Sequence, residues 1–433
     1  MHTPPRRKSL VWHVDFRQLW IADALSQVGA QLTALALPIY AVQYLGASEL
    51  EMGYLSSSQT IAFLILGLPA GVWVDRMLKR SVLIWSDVLR ALVLGAVVAF
   101  AVTGNGSMAM LYIAGVILSV ATVFFDIAHL SYLPGLVGLK HISEGNTKLQ
   151  ATYSIAAVAV PAVGGLLLRV VSAPLLIAVN VVTYVVSVVF LGRIRHREQL
   201  PDRSQQLPLL PAIREGLTFI VTTPLLNRLV FVTAVSAFFS TMGWAMVTFY
   251  VLTTLDLGEG ALGVIMSASA VGGILGAIFA RMATVWIGEG RIIALSALAS
   301  PIMFAGIPLA WHLRHELNPQ ITLIVAGFLM QISVTLFNVA QVSFRQRLCP
   351  PHLLGRMNAS FRFIVWGTMP FAGVVGGMIA HQFGVVTMLW VVVIGEIAAA
   401  LPLVFSRFMT LRELPSTVVE TVEDTTDPTT DER

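Results

Sequence analysis

Gly71-Val-Trp-Val-Asp75-Arg76-Met-Leu-Lys79-Arg80 packs four charged residues into ten, between two long apolar stretches. A cluster of this density cannot lie in hydrocarbon, where each central Asp, Lys or Arg costs ~2.5–3.5 kcal/mol on insertion scales. It is therefore a short loop at a membrane face, joining two spanning helices. Composition points the same way. Hydrophobic residues make up 56% of the 433 and charged ones 12%, against ~45–50% and ~25% in soluble domains. A single cysteine, Cys349, excludes a disulfide framework. The basic start (Arg6, Arg7, Lys8) runs through Phe16-Arg-Gln-Leu-Trp20 into a long apolar segment. That segment lacks a short core with a small-residue cleavage site, so it is a first spanning helix and not a signal peptide.

Working outward, apolar stretches near the ~20 residues needed to cross a bilayer recur twelve times. They fall at 18–44, 49–74, 81–103, 107–134, 149–170 and 174–192, then at 227–253, 261–285, 291–310, 320–343, 357–381 and 384–407. Helices are the only choice, because an open strand cannot satisfy its backbone in lipid. Lys and Arg gather in alternate connectors: Arg76, Lys79 and Arg80, then Lys140 and Lys148, then Arg193, Arg195, Arg197, Arg203 and Arg214, then Arg345, Arg347 and Arg356. The other connectors hold only Arg169 and Arg314, beside Glu49, Glu51, Asp256 and Glu259. The positive-inside rule then puts both termini in the cytoplasm of a cell (inner) membrane.

The two halves repeat. At an offset of 210, Ser26 meets Ser236, Tyr40 meets Tyr250, Glu49 meets Glu259 and Gly53 meets Gly263; at 212, Asn146 meets Asn358 and Gly164-Gly165 meets Gly376-Gly377. Six-helix halves in one orientation imply a pseudo-twofold axis along the membrane normal. The expected fold is an all-α membrane protein of twelve transmembrane helices in two six-helix bundles. Residues 1–17 form a cytoplasmic N-terminal segment, 18–192 the first bundle and 226–408 the second. Between them, 193–225 is a cytoplasmic linker whose Ile213–Ile220 stretch is amphipathic enough for a short surface helix. The tail 409–433, rich in Thr, Glu and Asp, is expected to be disordered and acidic.

The G-x-x-x-D-R-x-x-K-R pattern of the opening loop resembles the signature between helices 2 and 3 of major facilitator superfamily transporters. Phe16-Arg-Gln-Leu-Trp20, Ser26-Gln-Val-Gly29, Ala36-Leu-Pro38, Asp87-Val-Leu-Arg90, Arg214-Glu-Gly-Leu217 and Gly355-Arg-Met-Asn-Ala359 resemble the branch holding macrolide-efflux and enterobactin-export proteins. Pro161-Ala-Val-Gly164-Gly165 resembles the end of the antiporter signature, with Val160 in place of its first glycine. Two departures weaken any carry-over of a proton-coupling residue: Ala30 stands where relatives often carry an acid after Ser-x-x-Gly, and Asn180 where an Asp is common. The resemblance implies that helices 1 and 4 line the cavity and helix 3 is peripheral. It also places Asp75 against the inner end of helix 11 when the outside is open, so Gly71, Asp75, Arg76, Lys79, Arg80, Asp126 and Arg362 form an expected conformational gate, with Asp75 and Arg362 as its latch.

Buried charges are few enough to weigh singly. Asp23 on helix 1 is either a proton carrier or a hydrated carboxylate at the inner rim. Asp87 and Arg90, three apart on helix 3, are placed to pair. Glu396 has a local role, and His129 and His381 are expected to pack near an interface. Gln27, Gln31, Trp244, Phe249 and Asn338 are the candidates for the substrate cavity by depth alone, and aromatic walls with a few amides suit a large amphipathic solute. Pro161, Gly164, Gly165, Pro370, Gly373, Gly376 and Gly377 either only pack or line the seam between bundles.

Three function classes stay open. Secondary export of lipophilic drugs or siderophore-like metabolites by proton antiport is the expectation. Uptake of a small metabolite by the same fold is the alternative. A polytopic membrane enzyme is the third, with no nucleophile motif, phosphate loop or metal-ligand spacing behind it. The partners expected are a small-molecule substrate, protons and membrane lipid, with no cofactor, metal or nucleic acid, around a monomer.

Overall fold

The computed structural model describes residues 10–138, 141–198, 209–350 and 353–412, and every regular element among them is helical. Expectations about residues 1–9, the linker stretch 199–208 and the tail from 413 lie outside the described residues. The first half holds α1 (Val14–Ile39), α2 (Glu49–Leu66), α3 (Pro69–Asp75), α4 (Lys79–Val102), α5 (Met108–Val137), α6 (Ile142–Leu167) and α7 (Ala173–Gly192). A connecting helix, α8 (Leu209–Thr222), follows. The second half holds α9 (Pro224–Phe249), α10 (Gly258–Ile287), α11 (Glu289–Phe304), α12 (Gly306–His312), α13 (Pro319–Leu348), α14 (Leu354–Trp366), α15 (Met369–Phe383) and α16 (Val385–Val404).

Eleven stretches are long and apolar enough to cross a membrane, and α2 with α3 makes the twelfth span. α2 is less apolar because it carries Glu49, Glu51 and Ser56-Ser57-Ser58-Gln59-Thr60. Membrane helices tolerate such polarity where they face protein, and α2 lies along α15 of the other bundle. Two spans are broken in the same way. Gly67 and Gly367 end α2 and α14, and Pro69 and Pro370 begin α3 and α15. A proline in the first turn of a helix loses no hydrogen bond.

Helix ends are fixed locally. Ser48 and Glu51 form a reciprocal capping box at the start of α2. The Glu198 carboxylate accepts from the backbone N–H groups of Lys79 and Arg80, so an anion sits at the N-terminus of α4. Gly384, the one residue between α15 and α16, has φ 84°, a conformation open to glycine at little cost.

The repeat extends to fine detail. α1 and α9 each span 26 residues and each runs on into a π-helical turn, Tyr40–Tyr44 and Tyr250–Thr254. Gly164 packs on Leu32 and Leu35 of α1, and its counterpart Gly376 packs on Met242 of α9. These two glycines therefore serve contacts inside their own bundles and not the seam. Successive residues on a helix point ~100° apart, which follows from 3.6 residues per turn, so Gly165 and Gly377 face the opposite bundle instead. α8 packs on α14, where Gly216 approaches the Arg356 backbone and Glu215 pairs with the Arg356 side chain.

Candidate transport site

Between the bundles lies a cavity of about 340 Å³ with no charged residue in its wall. α1 and α2 contribute Ala34, Pro38, Met52, Leu55, Ser56, Gln59 and Thr60; α9, α10 and α15 contribute Ser240, Thr241, Trp244, Thr248, Met266 and Met369. Hydroxyls and one amide offer scattered hydrogen bonds, while Trp244 and three methionines give adaptable apolar surface. Of the expected cavity residues, only Trp244 lines this space. Phe249 lies five residues further on, about 140° round the helix by the same turn geometry, and packs against the hydrophobic core. Asn338 is exposed and lines neither this cavity nor the next. Gln31 also lines neither.

A second cavity, of about 800 Å³, lies between α1, α5 and α6. Its wall is mixed: Gln27, Asn146, Thr147, Gln150, Tyr153 and Ser154, with Leu130, Leu133 and Leu149 between them, surround Asp23 and His129. Asp23 is 4% exposed, and its Oδ1 lies 3.5 Å from His129 Nε2. That is ion-pair distance without hydrogen-bond alignment, and His129 Nε2 has no other partner. Phe125 stacks on the imidazole. The carboxylate–imidazole pair was not legible in sequence, where His129 looked like a packing residue. Its only local signal is the spacing Asp126-x-x-His129, which puts both on one face of α5.

The gate candidates whose side chains are described divide between contacts inside the first bundle and contacts at the seam. Arg80 donates to the Leu191 and Gly192 carbonyls, closing the C-terminus of α7 within its own bundle. Lys79 gives its backbone N–H to Glu198, and Arg76 caps α3. Asp75 is the last residue of α3, and its side chain lies outside the described residues. Gly71 borders a cavity between α2, α3, α5 and α14 that Arg362 also lines. The Arg362 guanidinium lies 4.1 Å over the Trp366 ring. Among the described residues, the carboxylate in its electrostatic range is Asp126, across the seam, which also feels Arg90 and His129.

A further buried charge is structural in its geometry. Asp87, fully buried, accepts from Arg90 at 3.1 Å, Ser187 at 2.7 Å and Ser26 at 3.2 Å. This joins α1, α4 and α7. Beside it, Asn180 donates to Thr33 at 2.6 Å and accepts from Thr183 at 2.9 Å. The amide uses both its donor and its acceptor here, at the position where an Asp is common in relatives.

Two bundles, twelve spans and a cavity between the halves describe a transporter. The sequence model of the Major Facilitator Superfamily matches residues 19–366. The chain belongs to this superfamily. Macrolide efflux protein A of Streptococcus pyogenes is 23% identical over 415 residues, 93% of this chain and 98% of that protein. A Bacillus subtilis protein named "Putative bacilysin exporter BacE" is 28% identical over 213 residues, so the match spans about half of each chain (48% and 51%). Among solved structures, a bacterial homologue of the iron transporter ferroportin in its inward-facing state superposes with a TM-score of 0.75 at 15% identity, covering 92% of this chain and 99% of that one. Its outward-facing state gives 0.60 at 16% identity over the same shares. These superpositions establish the major facilitator fold in this chain.

Proposed function

We propose that the protein is a secondary active exporter of lipophilic or amphipathic small molecules, working by alternating access and driven by proton antiport. The observation that carries this reading is the uncharged two-bundle cavity lying beside a separate, buried Asp23–His129 pair. An uncharged wall of hydroxyls, methionine and tryptophan suits a solute recognised by shape and apolar surface. The printed names of two relatives, a macrolide efflux protein and a bacilysin exporter, support the outward direction.

In this reading the basic face is cytoplasmic, both termini are inside, and the chain acts as a monomer in the cell membrane. The bundles, 18–192 and 226–408, rock as bodies tied by the linker 193–225. Close α2–α15 and α6–α10 contacts shut the opposite face, and the better superposition on an inward-facing relative supports a cytoplasm-open state. Asp23 takes a proton through its cavity, which releases its attraction for His129 and loosens α1 from α5. Asp126 and Arg362 attract each other across the seam when that side closes.

Inside-out vesicles with an imposed pH gradient test this, with ethidium as the probe. The parent chain is expected to accumulate ethidium. Asp23→Asn is expected to lose gradient-driven accumulation and keep ethidium counterflow. Undiminished gradient-driven accumulation in that variant removes Asp23 from coupling. Accumulation only in right-side-out vesicles replaces export with uptake.

A further inference from the structure

Four segments meet at the face opposite the basic one, and they are two copies of one pattern. Glu49-x-x-x-Gly53 opens α2 and Glu259-x-x-x-Gly263 opens α10. Gly165-x-x-x-Arg169 closes the α6 span and Gly377-x-x-x-His381 closes the α15 span. Their contacts repeat as well. A Cβ added to Gly377 would stand 3.0 Å from the Glu49 carbonyl and 3.1 Å from Gly53 Cα. One added to Gly165 would stand 3.0 Å from the Glu259 carbonyl and 2.9 Å from Gly263 Cα. A Cβ on Gly53 would overlap the Gly373 carbonyl, and one on Gly263 the carbonyl of Pro161, its counterpart at the same offset. Small residues let backbones touch where lipid supplies no hydrophobic drive.

The charged ends differ between the copies. His381 Nδ1 lies 3.7 Å from Glu49 Oε2, across the seam. Glu259 instead accepts from Gln43 Nε2 at 2.6 Å, also across the seam, while the Arg169 guanidinium lies against Gly260. One copy thus ends in a permanent cation and the other in an imidazole, which is a cation only when protonated.

These contacts shut this face in the alternating-access reading above, and we propose that the His381–Glu49 contact tightens that closure as the face is acidified. The proposal rests on that reading. The charged groups of α2 near His381 are Glu49 and, in the same turn, Glu51, whose carboxylate is held by Ser48. α9 and α16 also pack on α15, but their charges, Arg228 and Glu396, lie at the far end and midway along. Protonation of the imidazole therefore adds one cation facing the Glu49 carboxylate. Acid outside then favours the closed face and limits leakage back through an exporter.

Spin labels on Val170→Cys and Gln382→Cys, both exposed ends of opposing bundles, report the opening in a Cys349→Ser background in nanodiscs. Lowering the pH from about 8 to about 5 is expected to raise the closed-to-open ratio about threefold, the size of one solvent-exposed pair. His381→Gln and Glu49→Gln are expected to abolish that response, and His381→Arg to hold the acid value throughout. Gly53→Val is expected to lower the closed population more than tenfold. If it does not fold, Gly377→Ala reads the same shift at smaller size, because its methyl crowds its neighbours without overlapping them. An acid response that survives His381→Gln overturns the switch, and a closed population untouched by the glycine variants overturns the closure on which it acts. Ethidium flux is measured in parallel: labels that close in acid on a chain that moves no ethidium keep the switch and discard the exporter.

Discussion

In the first bundle α1, α4 and α7 meet around Ser26, Asp87 and Ser187; in the second, the same places on α9, α11 and α16 hold Ser236, Ala297 and Ala399. The neighbouring contact is inverted. Gly29 on α1 receives Asn180 and Thr183 of α7, whereas on the second side Gly395 of α16 receives the ring of Phe239 on α9. One backbone plan is thus held by a charged, hydrogen-bonded knot in one copy and by an aromatic ring on a glycine in the other. Close contact requires only that one partner be small. What fills the contact is free to diverge, and the hydrogen-bonded acid–base knot lies in the half that also carries Asp23, His129 and Asp126.

The largest test of that contrast is Arg90→Met. Arg90 is 6% exposed, and its partner Asp87 has no other cation in contact among the described residues. Removing one member of a buried pair costs about 3–5 kcal/mol, because the other charge is left uncompensated. Thermal unfolding in detergent is expected to show a loss of that size. A loss under about 1 kcal/mol, near the value of an exposed pair, would mean that water reaches the knot, and the contrast between bundles would shrink accordingly.

Gly29→Ala and Gly395→Ala come next, and they separate the two kinds of contact. The Gly29 methyl would overlap the Asn180 and Thr183 oxygens, and the Gly395 methyl the Phe239 ring. Overpacking costs about 1–3 kcal/mol in either place. Gly29→Ala also disturbs the Asn180 hydrogen bonds, at about 1 kcal/mol more. It is therefore expected to unfold at the lower temperature of the two. A reversed order would show that the polar contact yields more easily than the aromatic one.

Much of this was legible in the chain itself. Hydropathy located the spans, and the offsets of 210 and 212 already paired Gly53 with Gly263 and Gly165 with Gly377. The Asp87–Arg90 pair followed from i, i+3 spacing on one helix. What stayed hidden depends on which way a helix is turned. His129 meets Asp23 from another helix, and a lone histidine in an apolar run gives no sign of its partner. The same blindness assigned Gly164 and Gly376 to the seam and Phe249 to the cavity, since depth along a helix does not fix direction around it. The Glu198 carboxylate at the start of α4 could not be read either, being about 120 residues away and joined only by tertiary structure.

The smallest effect is expected where a buried carboxylate has no ion pair or hydrogen-bond donor among the described residues. Glu396 is 6% exposed midway along α16, as deep as Arg90, yet no ion pair holds it among the described residues. Asp87, with three donors, and Glu396, with none, are thus the two extremes of buried acid in this chain. Stability that comes from a carboxylate resides in the groups that bind its charge, so replacing an unbound carboxyl with an amide of the same shape removes nothing. Glu396→Gln is expected to change unfolding free energy by no more than about 0.5 kcal/mol, the range of substitutions that break no specific interaction. Ethidium transport should keep its parental dependence on the pH gradient, because coupling is assigned to Asp23. A Glu396→Gln chain that is as stable as the parent but no longer driven by the gradient would move the coupling carboxylate into the second bundle. The concentration of function in the first bundle would then fail, while the structural contrast between the bundles remained.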